Sequence, residues 1–234
     1  MHRLEYPAAT LERLRARRGG RLEVFPTIAA ARTALVVIDM QHFFCGAGQP
    51  GSLTTARAIV PNINRLAEAT RQAGGTVVWV VTTFTSKSAA TWSTFFDHFC
   101  TPALKATILD GLRDGGVGHA LYQGLDARPT DLRIEKDRFS AFVAGSSRLH
   151  EHLLARRIDT LLIAGTVTNI CCEATARDAA MMNYKVIMVS DANAAANDEQ
   201  HVASLMSLNG SFADIQTTDA VIGKLQNAAA RAAE

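Results

Sequence analysis

Short apolar runs alternate along the chain with segments in which apolar residues recur at helical spacing. Runs typical of buried strands lie at residues 35–39, 77–81, 132–136, 160–164, 185–189 and 213–217. Helical segments lie between them at 59–70, 148–155, from about 171 to 182 and at 199–208, and an alanine-rich helix closes the chain. This alternation predicts an α/β fold with right-handed crossovers. We expect a three-layer α/β/α sandwich around a six-stranded, mostly parallel sheet.

The pattern divides the chain into an N-terminal arm, residues 1–32, and a single domain, residues 33–234. The arm contains a basic amphipathic stretch at 11–20 that two glycines close. It has no continuous apolar core like that of a signal peptide, so we expect a solvated arm or a subunit contact. The long segment 82–130 is rich in Ser, Thr and aromatic residues near its start. Loops of that length are usually lids or subunit contacts.

Composition excludes several classes of protein. With 234 residues, of which 48% are hydrophobic and 20% charged, the chain can bury the core of one domain. A formal net charge of +2 gives no general attraction to nucleic acid or to a membrane surface. No run approaches the roughly 18 apolar residues of a membrane span. The cysteines are scattered without metal-binding spacing, so we expect a reducing, cytoplasmic location and no zinc site.

Three groups with catalytic potential lie at predicted strand ends. Asp39 ends the first strand, Lys136 ends the third, and Cys171 follows the fourth strand at the start of a helix. Backbone N–H groups at a helix start stabilise a thiolate and can also receive an oxyanion. A cysteine taken alone is more often a small core residue, and a lysine taken alone is usually solvated. Because ligands in open α/β sheets bind at the carboxyl ends of strands, we expect the three groups to converge.

Three sequence elements resemble those of the isochorismatase-like cysteine hydrolase superfamily. The first is Asp39-Met40-Gln41, and the second is Lys136 followed by Ser140-Ala141-Phe142. The third runs from 165 to 179 and has the family residues in register: Gly165, Thr168, Asn169, Cys171, Glu173, Thr175, Arg177 and Asp178. The resemblance covers roughly residues 33–220. In these motifs the chain looks most like ureidoacrylate and N-carbamoylsarcosine amidohydrolases.

The resemblance implies a catalytic triad and a reaction. Asp39, Lys136 and Cys171 would form the triad of a cysteine-dependent amidohydrolase. Such an enzyme cleaves a C–N bond of a small amide, carbamoyl or ureido compound through a thioester intermediate. The family pattern places the oxyanion hole at the backbone N–H groups of Thr168 and Cys171, and a cis peptide bond between Val167 and Thr168. It leaves Cys172 as a packing thiol, and it implies a homodimer or homotetramer.

The substrate-binding residues are less well defined by the sequence. Aromatic and amide side chains near the strand ends are candidates for a wall that orients a small planar substrate: Gln41, Phe43, Phe44, Trp92, Phe96 and Phe142. The alternative for each aromatic residue is a place in the core or in a subunit contact. Arg138 is a candidate partner of a substrate carboxylate, or an ordinary surface charge.

The sequence predicts no metal and no other cofactor. The nicotinamidase branch of the superfamily carries a metal site built from D-x-H and a further histidine after the second strand. The corresponding segment here, 82–88, contains no histidine.

Three other functions remain as alternatives. An isochorismatase-type enzyme cleaves a vinyl ether and needs no thiol nucleophile, so Cys171 argues against that activity. A thiol redox sensor would use Cys171 and Cys172 and would show reversible oxidation without turnover. A degenerate family member acting as a binding subunit would have a broken triad, whereas all three triad residues are present.

Overall fold

Six parallel strands form one sheet in the computed structural model, which describes residue 2 and residues 7–233. The strands are β1 (Thr33–Ile38), β2 (Thr76–Thr82), β3 (Leu132–Lys136), β4 (Thr160–Thr166), β5 (Lys185–Ala194) and β6 (Asp214–Gln216). Their order across the sheet is β3-β2-β1-β4-β5-β6, and each neighbouring pair is parallel. The predicted fold class is confirmed, with a sheet that is parallel throughout.

The helices flank the sheet and fill the connections between strands. They are α1 (Ala8–Arg17), α2 (His42–Cys45), α3 (Thr54–Ala58), α4 (Val60–Gln72), α5 (Ser86–Thr91), α6 (Pro102–Gly111), α7 (Leu149–Ala155), α8 (Glu173–Met181), α9 (Asp198–Ser211) and α10 (Thr218–Ala233). Single turns of other geometry occur at Ala30–Arg32 (3₁₀) and at Thr94–Phe99 and Thr168–Cys172 (π). The first part of the long segment after β2 is therefore helical, since it contains α5, α6 and one π turn, whereas residues 112–131 form no helix.

Hydrophobic side chains cover both faces of the sheet, which explains the continuous apolar runs of the central strands. Every residue of β1 is buried. Alternate side chains such as Leu35 and Val37 pack with α4 and α10 on one face. Val36 and Ile38 pack with α7, α8 and α9 on the other face. Strands covered on both faces lose the polar alternation of half-exposed strands.

The described part of the N-terminal arm is attached to the domain. Asp214 of β6 accepts hydrogen bonds from the backbone N–H groups of Val24 and Phe25, at 2.9 and 3.0 Å. Lys224 donates to the Phe25 carbonyl at 2.9 Å, and Arg18 donates to Asn209 of α9. These contacts attach the arm to the domain, while most residues of α1 are exposed. Across the described residues, every helix is too short or too polar to cross a lipid bilayer.

The strand order creates a crevice at the carboxyl edge of the sheet. The chain builds outward from β1 through β2 to β3, and then returns to the other side of β1 with β4. The strand order therefore reverses between β1 and β4. The connection after β1 and the connection after β4 run to opposite sides, which opens a space between the ends of these two strands. The predicted functional groups lie at or just after the ends of β1, β3 and β4.

Candidate active site

Asp39, Lys136 and Cys171 meet at this crevice. Asp39 follows β1, Lys136 is the last residue of β3, and Cys171 lies in the π turn after β4. The Lys136 ammonium donates to Asp39 Oδ2 at 2.8 Å and lies 3.6 Å from Cys171 Sγ. The lysine and aspartate side chains are 0% and 1% exposed, and Cys171 is buried. Groups separated by 97 and 35 positions in the sequence thus form one buried cluster.

Thr82 is a fourth member of the cluster that the sequence analysis missed. Its hydroxyl donates to Asp39 Oδ1 at 2.9 Å and accepts from Lys136 Nζ at 2.6 Å. Thr82 ends β2, which lies between β1 and β3, and it pairs in register with Lys136. With Thr82, the three N–H donors of the ammonium have three acceptors: a carboxylate, a hydroxyl and a sulfur. The sequence could have indicated Thr82 by its position at the end of β2, the strand between those that carry Asp39 and Lys136.

Close approach of β1 and β4 depends on a glycine. Gly165 has φ +120°, and a Cβ atom there would lie 2.1 Å from the Ile38 carbonyl oxygen. No other residue fits between the strands without moving the segment that carries Asp39. Asp39 itself has φ 52°, in the left-handed region that aspartate tolerates better than most residues.

The turn that carries Cys171 is held from behind by α9. The Thr168 hydroxyl is 2.9 Å from His201 Nδ1, and the Ser204 hydroxyl donates to the Thr168 carbonyl at 3.4 Å. The backbone N–H groups of Ile170 and Cys172 both donate to the Val167 carbonyl. The cis peptide bond lies between Thr166 and Val167, so its predicted position between Val167 and Thr168 is wrong by one residue.

Burial dominates the electrostatics of the cluster. It raises the pKa of the Cys171 thiol, Asp39 raises that pKa further, and Lys136 lowers it without reversing the shift. For Lys136, burial lowers the pKa, but the negative charges of Asp39 and of a Cys171 thiolate outweigh burial and leave the pKa raised. The directions of these shifts favour a Cys171 thiol beside a Lys136 ammonium. The lowered thiol pKa that a helix start alone would favour is overridden by burial.

The sulfur of Cys171 faces an apolar cavity of about 120 Å³. The wall combines aromatic and aliphatic side chains with a few polar groups: Phe43, Phe44, Thr82, Phe84, Phe95, Ile108, Leu112, Arg138, Phe139, Val167, Ile170 and Cys171. Several of the rings pack on one another in the segment after β2 and beside β3. A small cavity that ends at a buried thiol is suited to covalent chemistry on a small molecule.

Comparison with known proteins places this arrangement in a family. The isochorismatase domain matches residues 33–220. The chain belongs to the isochorismatase family. The resemblance seen in the sequence is thus confirmed, and the protein is a hydrolase of this family.

The relatives of this isochorismatase-family protein are named for different activities. A probable inactive nicotinamidase of Arabidopsis thaliana is 35% identical over 178 residues, covering 75% of this chain and 87% of the relative. The ureidoacrylate amidohydrolase RutB of Cronobacter turicensis is 30% identical over 178 residues, covering 71% and 76%. The crystal structure of a cysteine hydrolase from Pseudomonas syringae pv. phaseolicola superimposes with a TM-score of 0.79 at 30% identity, covering 89% of this chain and 98% of that one.

Three of the predicted substrate-binding residues line the cavity of the isochorismatase-family protein, namely Phe43, Phe44 and Arg138. Gln41 does not line it, because its amide is used inside the fold. Gln41 Oε1 accepts from the Thr82 N–H at 2.8 Å, and Nε2 donates to the carbonyls of Thr82 and His119 at 3.0 and 2.9 Å. Gln41 therefore braces the end of β2.

The other three aromatic candidates lie behind the wall or away from it. Trp92 stacks on Phe95, with 4.6 Å between ring centroids. Phe96 packs edge-on against Phe84 at 5.3 Å, and Phe142 packs against Tyr184 at 5.6 Å. None of the three lines the cavity at Cys171, and a role for them in substrate binding stays a prediction. The wall residues that sequence reasoning missed are Thr82, Phe84, Phe95, Ile108, Leu112, Phe139, Val167 and Ile170.

One group of metal-ligating type occurs among the described residues. Ligand atoms of Asp114, His119 and Glu135 lie within 4.8 Å of one another, and the other His119 nitrogen is 2.7 Å from the Thr83 hydroxyl. None of the three lines the cavity at Cys171. The sequence-based expectation of a reaction without a metal cofactor stays a prediction.

Proposed function

We propose that this protein hydrolyses a C–N bond of a small amide, carbamoyl or ureido compound through a thioester on Cys171. The observation that supports this most directly is the position of the Lys136 ammonium, 2.8 Å from Asp39 and 3.6 Å from the thiol. The cluster holds a base, a cation and a nucleophile in one buried place, and the nucleophile alone of the three borders the cavity.

Acylation begins from the neutral thiol. As the sulfur attacks the carbonyl carbon, Asp39 takes the thiol proton and an S–C bond forms. Lys136 stays protonated and stabilises the charge that develops on sulfur during this transfer. The resulting oxyanion would be received by the backbone N–H groups of Thr168 and Cys171. Collapse of the intermediate breaks the C–N bond, and Asp39 gives its proton to the departing nitrogen.

Deacylation uses the same groups, and Asp39 again takes a proton first and then gives it up. A water molecule gives a proton to Asp39, and its oxygen bonds to the thioester carbon. Breaking the C–S bond releases the acid and returns the sulfur, which recovers its proton from Asp39. The net change is addition of one water across the C–N bond, with every group of the protein restored. Because burial raises the thiol pKa, Cys171 loses its proton to Asp39 as it attacks the substrate and not before.

Ammonia release from a panel of simple amides, ureido acids and carbamoyl amino acids tests the proposal. Cys171→Ala should abolish release, and trapped wild-type enzyme should gain the mass of the acyl group at Cys171. Cys172→Ala is the matched control, since Cys172 is buried next to the nucleophile but does not border the cavity. Full activity in Cys171→Ala together with loss in Cys172→Ala would show that Cys172, and not Cys171, is the nucleophile.

The alternative of a redox sensor is disfavoured by the state of both thiols. Burial raises the pKa of Cys172 well above its usual range, as it raises that of Cys171. Oxidation proceeds through the thiolate, and sensor thiols are accessible with lowered pKa values. Both cysteines are free, and Cys172 is fully buried.

A further inference from the structure

We propose that the acyl part of the substrate is uncharged and apolar and no larger than about one six-membered ring, so that anionic ureido and carbamoyl acids are poor substrates. This assignment rests on the proposed amide hydrolysis, because it names what the same site accepts. It follows from the chemistry of the cavity wall, the pairing of its charged group and the cavity volume.

The wall offers a substrate mainly hydrocarbon. Phe43, Phe84, Phe95 and Phe139 contribute rings, and Ile108 and Leu112 contribute aliphatic side chains. The faces of aromatic rings carry partial negative charge, which repels an anion. A carboxylate that enters such a wall loses its hydration without gaining hydrogen bonds, so its binding is strongly disfavoured. A hydrocarbon group of the same shape gains from leaving water.

Arg138 is the one charged side chain among the described residues that line the cavity, and its charge is already matched. Its Nη1 donates to the Asp137 carbonyl at 2.9 Å and lies 3.1 Å from the Asp137 carboxylate. Its Nη2 donates to the carbonyl and hydroxyl oxygens of Thr91, at 3.2 and 3.0 Å. The guanidinium carbon also lies 5.1 Å from the centre of the Trp92 ring. The prediction that Arg138 meets a substrate carboxylate is therefore not favoured by its contacts.

The polar groups beneath the cavity are also fully used. The N–H donors of Lys136 are directed to Asp39, Thr82 and Cys171. The Thr82 hydroxyl gives its proton to Asp39 and accepts from Lys136. A carboxylate or a ring nitrogen on the acyl group would have to break one of these hydrogen bonds to take a donor from this cluster. The reacting carbonyl needs none of them.

The volume sets the size of the acyl group. The cavity measures about 120 Å³, slightly less than the roughly 150 Å³ of an apolar protein cavity that holds one benzene molecule. A phenyl ring or a branched chain of comparable size would fill it.

Two matched pairs of substrates test the assignment on the intact protein. In 4-methylpentanamide and succinamate, an isopropyl group is replaced by a carboxylate of the same shape. In benzamide and nicotinamide, one ring carbon is replaced by nitrogen. We expect kcat/KM to favour 4-methylpentanamide over succinamate by at least about 100-fold, and benzamide over nicotinamide by about tenfold. A preference for succinamate would overturn the assignment and leave amide hydrolysis intact.

A charge placed in the cavity wall provides a second test of the assignment. Ile108→Arg should reduce the preference for 4-methylpentanamide at least tenfold, because the half-buried position allows an unpaired guanidinium to face the cavity. Ile108→Met is the control that changes shape without charge, and it should keep the wild-type preference. Equal effects of the two variants would count against charge as the determinant.

Binding to Cys171→Ala separates the two proposals. This variant cannot form a thioester, so calorimetry reports recognition alone. Tighter binding of 4-methylpentanamide than of succinamate supports the apolar assignment even if wild type releases no ammonia from any compound, a result that would defeat the proposed hydrolysis. Tighter binding of succinamate contradicts the assignment whatever the turnover.

Discussion

The hydroxyl of Thr82 donates a hydrogen bond of 2.9 Å to Oδ1 of Asp39. The Thr82 hydroxyl oxygen also accepts from Lys136 Nζ at 2.6 Å, so an uncharged side chain links the carboxylate to the ammonium. Thr82 stands on β2, between the strands that carry the two charged groups. Its hydroxyl therefore holds the relative position of a base and a cation that belong to different crossover units.

Thr82→Val removes this hydroxyl and keeps the shape of the side chain. We expect kcat to fall about 10- to 100-fold, because hydrogen bonds to charged groups contribute about 1.5–3 kcal/mol. Thr82→Ser should restore most of the activity. The control is Thr83→Val, since the Thr83 hydroxyl contacts His119 and not the triad. Steady-state kinetics gives kcat for the three variants and so separates the effect of Thr82 from that of Thr83. An unchanged kcat in Thr82→Val would show that Thr82 has no part in the mechanism.

Asp39→Asn should separate thiol reactivity from turnover. Burial is the largest cause of the raised Cys171 pKa, and the Asp39 carboxylate adds to it. Removing that negative charge lowers the pKa, so a larger fraction of Cys171 is thiolate at pH 8. Alkylation of Cys171 by iodoacetamide should then be faster than in wild type. Turnover should fall by several orders of magnitude because the base is lost.

Mass spectrometry of the Cys171 peptide measures the alkylation rate across pH 6–10. Lys136→Met is the opposite test, because loss of the ammonium raises the thiol pKa and should slow both alkylation and turnover. Circular dichroism must show folded protein in each case, since removing one partner of a buried ion pair costs about 3–5 kcal/mol. Slower alkylation in Asp39→Asn would contradict the assigned electrostatics.

Gly165→Ala should damage both stability and the site. A Cβ at this position would lie 2.1 Å from the Ile38 carbonyl, and the backbone has φ +120°. We expect the free energy of unfolding to fall by at least about 3 kcal/mol, with loss of activity as the segment next to Asp39 moves. Gly223→Ala in α10 is the control, because its Cβ meets no atom within 4 Å. It should gain about 0.5–1 kcal/mol. Urea denaturation measures both changes.

His201 should make stability depend on pH. Burial and the adjacent His2 lower the pKa of His201 from 6.5 to about 4. Between these values the unfolded chain binds a proton that the folded protein does not bind. Its contribution to stability is therefore complete above pH 6.5 and is lost as the pH falls toward 4, by up to roughly 3 kcal/mol.

Melting temperatures of wild type and His201→Gln at pH 7.5 and pH 5 measure this contribution. The glutamine keeps a hydrogen-bonding group near the Thr168 hydroxyl, which His201 contacts at 2.9 Å. The variant should lose less stability on acidification than wild type. Equal losses in the two proteins would assign the pH dependence to other groups.

The fold was predictable from strong local patterns, and the meeting of Asp39, Lys136 and Cys171 was predictable because their motifs resemble those of one family. β3 begins and ends at the predicted residues, 132 and 136, and β1, β2 and β4 each contain an unbroken apolar run. A parallel sheet brings strand ends to one edge, so placing Asp39 and Lys136 at strand ends was enough to bring them near each other. Thr82 obeys the same rule, but threonine at a strand end is too common to stand out in a sequence.

The cavity wall was not predictable in the same way, because it depends on three-dimensional packing. Phe95 and Phe96 are adjacent in the sequence, yet Phe95 lines the cavity and Phe96 lies behind it at 1% exposure. The π turn from 94 to 99 decides which ring faces the substrate space, and no periodicity reveals that geometry. Gln41 illustrates the converse, since its amide, two residues after Asp39, is hydrogen-bonded to backbone groups and not to the cavity.

The central position of β1 also has a consequence during synthesis. Asp39 is synthesised first, Lys136 follows 97 residues later, and Cys171 another 35 residues after that. At about 5–20 residues per second, the nascent chain carries the carboxylate for roughly ten seconds before Cys171 is added. The buried cluster can therefore form only after β4 has docked against a strand made well before it.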